Sequence, residues 1–158
     1  MQNTFALPVT SGQRQVSGAE LALYRAYPGD PTVEVRFAHH VLSCYPDDVW
    51  ALTALAKHTP DDATFERQIR HAVKVGLHGL LARTGAGEEI TSDDYHAEAT
   101  LIAMVVYGSH LALRGRLDEA TTLLKTMLDL DPNDAVGAIA MMERQGVIHP
   151  APQQRRVN

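Results

Sequence analysis

Apolar residues recur at three- and four-residue steps along most of this chain, and clusters of Asp, Pro, Gly and Ser punctuate the runs. Ser17-Gly18-Ala19-Glu20 fits a capping box, in which a hydroxyl and a carboxylate reciprocally satisfy the first N–H groups of a helix. Ala19, Leu21, Ala22 and Ala26 follow, and Pro28-Gly29 ends that helix. Asp30-Pro31 supplies an N-cap and a first-turn proline for a helix carrying Val33, Phe37, Val41 and Leu42. Residues 32–37 also alternate like a strand, but the helical steps continue to Leu42 and favour a helix. Tyr45-Pro46-Asp47-Asp48 and Thr59-Pro60-Asp61-Asp62 each break one helix and start the next. Val49, Leu52, Leu55 and Ala56 face inward on the first of these, and Phe65, Ile69, Ala72 and Val73 on the second. Gly76 is then expected to stop the helix as a C-terminal cap.

From Leu77 to Ile90 the pattern is weakest. Leu77, Leu80 and Leu81 fit a helix, whereas Gly85-Ala86-Gly87 reads as a loop. Thr91 to Asp94 cap a long helix reaching about Leu113. Gly115 marks a turn, Asp118 to Leu128 form another helix, Asp131-Pro132-Asn133-Asp134 another turn, and Ala135 to Met142 a last short helix. The pattern thus predicts an all-α chain of about seven or eight helices with short connections. Residues 1–16 read as an N-terminal tail, 17–146 as the helical domain and 147–158 as a flexible, polar C-terminal tail. Gly85-Ala86-Gly87 lacks the preceding strand and the spacing of a phosphate-binding loop.

One stretch says more. In residues 101–134, Gly108 stands on the first helix of a pair and Ala120 on the second, as small residues expected to face each other. Gly115 and Leu117 lie at the turn, Leu124 and Met127 continue the buried side, and Pro132 closes the unit. The fragments Gly115-Arg116-Leu117-Asp118-Glu119-Ala120 and Leu128-Asp129-Leu130-Asp131-Pro132-Asn133-Asp134 resemble the tetratricopeptide repeat, a helical hairpin of about 34 residues that stacks into a solenoid. Met104, Tyr107 and Met127 depart from the residues this family often carries there (tryptophan, leucine and alanine), yet each keeps its position apolar. Upstream, Tyr45-Pro46-Asp47-Asp48 mirrors the turn at Asp131, with the extra residues falling in the loop around Gly85 to Thr91. The expectation is a short α-solenoid of stacked hairpins: one good repeat, one or two degenerate hairpins before it and a capping helix after it.

The resemblance also implies a site. The first helix of each pair lines the concave face, which would place Ile102, Val105, Ser109 and Ala112 there, with Trp50, Thr53 and Lys57 from the earlier hairpin. Chaperone-binding members carry Lys and Asn where this chain has Val105 and Ser109. That departure argues against capture of a C-terminal carboxylate and for an amphipathic helix or apolar peptide. Tryptophan is enriched at binding hot spots, which singles out Trp50, although burial explains it as well.

Composition narrows the classes. Fourteen Lys and Arg against nineteen Asp and Glu give a net charge of −5, which disfavours broad phosphate-backbone binding. Cys44 is the only cysteine, so no intrachain disulfide and no thiolate-rich zinc site can form. The start of the sequence does not read as a signal peptide, and the apolar run from Leu101 to Leu113 is too short and too polar to span a membrane. A cytoplasmic setting is the expectation.

Eight histidines raise a metal hypothesis, but His39 and His40 diverge by about 100° on a helix and no pair stands four apart. The paired acids Asp47/Asp48, Asp61/Asp62 and Asp93/Asp94 sit at helix starts, where capping accounts for them. Arg67, Arg70, His71 and Lys74 form a basic stripe on one helix, ordinarily a solvated face and otherwise a contact for an acidic partner. The leading expectation is a non-catalytic adaptor, without cofactor or metal, binding another protein through its groove and open to self-association at its end faces. The alternatives are a dedicated chaperone for one client, and an enzyme or metal protein built on the His and acid clusters.

Overall fold

The structure, a computed structural model, describes residues 16–88, 94–133, 137–144 and 146. Among them are seven helices and no strand: α1 (Gly18–Ala26), α2 (Pro31–Cys44), α3 (Val49–Lys57), α4 (Asp62–Gly85), α5 (Tyr95–Leu113), α6 (Leu117–Leu130) and α7 (Ala138–Arg144). The all-α expectation and most boundaries agree. The expected tails lie outside the described residues, apart from Val16. No helix among these residues is long and apolar enough to cross a membrane. The chain divides into two compact units, Met1–Ala103 and Met104–Asn158, with the division inside α5.

In the first unit, one device starts four helices. Asp30 accepts from the N–H groups of Thr32 (2.9 Å) and Val33 (3.1 Å), Asp48 from Ala51 (2.8 Å), Asp61 from Thr64 (2.8 Å) and Asp94 from Ala97 (2.9 Å). Each carboxylate satisfies donors that the first turn leaves without partners and sits at the positive end of the helix dipole. α1 starts differently. The Ser17 hydroxyl makes no cap, so the expected capping box does not form. The Ser17 N–H donates to His40 Nε2 (3.0 Å), while Glu20 takes a two-pronged pair from Arg36 that ties α1 to α2. A charge-assisted bidentate pair outcompetes the capping bond.

α1 packs on α2, α2 on α3 and α3 on α4. Phe37, Ala38, Val41, Ala51 and Ala54 form the centre of the α2–α3 core. α4 buries Ile69, Ala72, Val73, Gly76 and Leu80. It runs straight through Gly76, against the expectation of a stop there. The reason is contact: a Cβ on Gly76 would collide with the Thr100 side chain, and one on Gly79 with the His96 ring. Both glycines let the start of α5 lie against the α4 backbone. The helix ends instead at Gly85, closed by Gly87, whose φ of 82° permits a Schellman turn, with Glu88 N–H donating to Arg83 O (3.0 Å) and Gly87 N–H to Thr84 O (3.0 Å).

In the second unit the same turn recurs at Gly115 (φ 72°): Arg116 N–H donates to Leu111 O (2.9 Å) and Gly115 N–H to Ala112 O (2.9 Å). It reverses the chain between α5 and α6. Leu111, Ala112 and Ala120 then form a core with Tyr107 and Leu123 against it. The space beside Gly108 is filled by Met142 of α7 and Leu123 of α6.

Gly76→Ala is expected to lower stability by about 1–3 kcal/mol through overpacking, despite the roughly 1 kcal/mol that alanine gains in helix propensity. Gly85→Ala, which meets nothing within 4 Å, is expected to leave stability unchanged or slightly raised. Urea unfolding of both variants checks this pair, and equal effects at the two positions would contradict the packing.

Candidate functional site

The seven residues expected to meet a partner fall in very different places. Trp50 is half-buried and belongs to an aromatic cluster in the first unit. Its ring stands edge-on to Tyr24 (centroids 5.5 Å, 73°) and Phe37 (5.6 Å, 62°), while Tyr24 and Phe37 stack at 4.7 Å. These contacts lock α1, α2 and α3 together, with the offset and edge geometries aromatic pairs prefer. Thr53 is only 4% exposed and donates its hydroxyl to Val49 O (2.7 Å), so it has no surface to offer. Lys57 is exposed and reaches Glu34 (3.5 Å), whose other oxygen lies 2.7 Å from His58 Nε2. That carboxylate joins α2 to the end of α3.

On α5, Ile102 is exposed and Val105 half-buried. Ser109 donates its hydroxyl to Val105 O (2.9 Å) and touches Met141 Sδ (3.2 Å), which places this side of the helix against α7. Ala112 is buried in the α5–α6 core. Thr53 and Ala112 are therefore corrected from contact residues to core residues. The helical period identified their faces, but not which neighbour covers each face.

Two polar clusters in the first unit escaped the sequence reading. In one, Tyr95 O–H donates to Asp48 (3.2 Å to Oδ2), and His96 Nε2 lies 3.2 Å from Gly76 O. Burial pushes the Asp48 carboxyl above the usual aspartate range, against the lowering effects of the Ala51 N–H and the Tyr95 hydroxyl. Burial, then the adjacent Asp48 charge, pushes Tyr95 well above the usual phenol range. A raised carboxyl beside a phenol and an imidazole is a pattern associated with acid–base sites. Here, however, Asp48 caps α3, Tyr95 holds Asp48, and His96 bridges to the α4 backbone. In the other cluster, Arg83 grips Glu88 and Asp94 in two forked pairs. The guanidinium holds both carboxyls below their usual ranges. It closes the α4–α5 connection at its two ends, and Asp94 in turn caps α5. The Asp caps at positions 48 and 94 were legible, but Tyr95 is 47 residues from Asp48 and no local signal pairs them.

Among the described residues, no three His, Cys, Asp or Glu side chains come together as metal ligands would. Cys44 is buried. No protein-family model matches the chain, and no curated protein or solved structure matches it.

Two pH-linked outcomes follow from the opposite shifts. For Asp48 the folded pKa is raised, so its contribution is fully present below the unfolded value and is lost as pH rises through the folded one. Asp48→Asn keeps an oxygen for Ala51 and Tyr95 without the charge, and is expected to hold or raise stability at pH 7 with a flatter pH dependence above pH 4. Asp48→Ala, without a cap, is expected to cost about 1–2 kcal/mol. Equal losses from Asn and Ala, by urea unfolding across pH 4–8, would contradict the burial effect. For Asp94 and Glu88 the folded values are lowered, so their contribution is present above the unfolded pKa and is lost as pH falls through the folded one. Wild type is accordingly expected to exceed Arg83→Met in stability at pH 7, and the difference is expected to shrink as pH falls below the usual carboxylate range.

Proposed function

We propose that this chain is a non-catalytic helical-repeat protein of the tetratricopeptide kind, acting in the cytoplasm by binding another protein. The observation that carries the reading is the α5–α6 hairpin. Met104, Gly108, Leu111, Ala120, Leu124 and Met127 are buried along it, at the spacing of a single such repeat. α7 seats against Gly108 and Ser109, the side of α5 on which the first helix of a following repeat would stack. The unequal lengths of α3 and α4 are consistent with the upstream helices being degenerate hairpins.

In this reading the contact surface of the hairpin is not Ser109 or Ala112. Those side chains serve the interior. Leu113 is 80% exposed and Leu117 is 42% exposed, on either side of the Gly115 turn, and they offer an apolar contact that water would gladly release. Each buried leucine is worth about 1.5–3 kcal/mol before association costs.

Affinity purification of the tagged chain from its own cells tests the reading. A specific protein is expected to co-purify with wild type, and at least about tenfold less of it with Leu113→Glu/Leu117→Glu, by analogy with truncation of an interface hot spot. Both positions are exposed, so the helical circular dichroism is expected to stay unchanged. No protein retained above a tag-only control, or equal retention by the variant, would contradict it.

A further inference from the structure

The outer face of α4 is left over by the fold. With 100° per residue, Arg70, His71, Lys74 and His78 all fall within about 60° of Arg67, and the five extend about 16 Å along the axis. All five are exposed, while Ile69, Ala72, Val73, Gly76 and Leu80 take the opposite, buried face. Asp62 lies off this stripe, about 140° from Arg67, whereas Glu66 borders it, one turn before Arg70 and about 40° round the helix from it. Elsewhere in the first unit, Arg36 holds Glu20, Lys57 holds Glu34, and Arg83 holds Glu88 and Asp94. Arg67 reaches the Thr64 hydroxyl (3.3 Å). Arg70, His71, Lys74 and His78 form no ion pair among the described residues. Three fixed cations and two histidines along one exposed helical face, bordered by Glu66 alone at its edge, run against the composition of a chain of net charge −5. Leu81, 63% exposed, lies one turn beyond His78 on the same face.

We propose that this face docks an acidic amphipathic helix of a partner protein. The stripe is straight, narrow and about three turns long, which matches carboxylates set at i, i+3, i+4 and i+7 on an opposing helix. Leu81 gives that helix an apolar anchor at one end, and the charges set its register. A nucleic acid would need a broader positive surface than three fixed cations on an acidic chain. The inference stands apart from the α5–α6 reading, since it uses other residues and another contact.

Fluorescence anisotropy with the full chain tests it, using labelled synthetic peptides. One helical peptide carries Glu along a single face with a Leu at its end. A second has the same composition with Glu scattered round the helix. The matched peptide is expected to bind saturably at low salt, about tenfold tighter than the scattered one and more weakly as salt rises. Arg70→Glu/Lys74→Glu is expected to lose about tenfold or more, whereas Arg25→Glu/Lys125→Glu, with the same change in net charge off the stripe, stays within about twofold. The proposal is overturned if the two peptides bind alike, if the two double variants behave alike, if nothing saturates, or if a single-stranded oligonucleotide binds more tightly than the matched peptide.

Discussion

Two helices can approach only as closely as the side chains between them allow, and this chain relies on small ones. Alanine is the commonest residue in its buried set. Where α5 meets α4, alanine is already too large: Gly76 lies against Thr100 with no room for a Cβ. Thr100 cannot easily give way, because its hydroxyl is fixed to His96 O at 2.7 Å and its β-branched side chain has few rotamers. His96 in turn lies across Gly79 and reaches the Gly76 carbonyl. The start of α5 is thus fitted into the α4 backbone, and Tyr95 is brought to Asp48 at the start of α3. The aspartate caps, the Arg83 clasp and the continuous 24-residue α4 all serve that one close approach.

The same small residues explain where the sequence was legible. Aspartates at helix starts are local signals, because the bond they make is to a backbone N–H two or three residues on. Asp30, Asp48, Asp61 and Asp94 were readable for that reason. Gly115 was readable too, since a positive φ between two apolar runs has few other uses. Gly76 was misread because a glycine that ends a helix and a glycine that admits a neighbour look identical in one sequence. Ser17 and Glu20 satisfied a local motif, but His40 and Arg36 took those groups through contacts more than fifteen residues away. Gly108 and Ala120 share a small-residue logic, yet Met142, from a helix further along, fills the space beside Gly108.

Function was less legible than fold, again for a physical reason. The helical period tells which residues share a face, and burial decides whether that face is free. Thr53 and Ala112 share faces with plausible contact residues and are inside. Trp50 is engaged by two aromatic neighbours. Among the described residues, the fold leaves exposed an apolar pair at the α5–α6 turn and a row of basic side chains along α4. Neither stabilises the chain that carries it. Exposed leucines cost solubility, and closely spaced like charges repel by a few tenths of a kcal/mol per pair. Surfaces of this sort are accounted for more readily by a partner than by the fold.

The α4–α5 contact can be observed directly by nuclear Overhauser spectroscopy on the isotopically labelled chain. The account requires a strong cross-peak between the Gly76 Hα protons and the Thr100 γ-methyl group, with sequential helical connectivities unbroken from Ile69 through Leu80. Loss of those connectivities at Gly76, or absence of the cross-peak in a folded sample, would show that the glycine ends α4 and that the close approach does not exist.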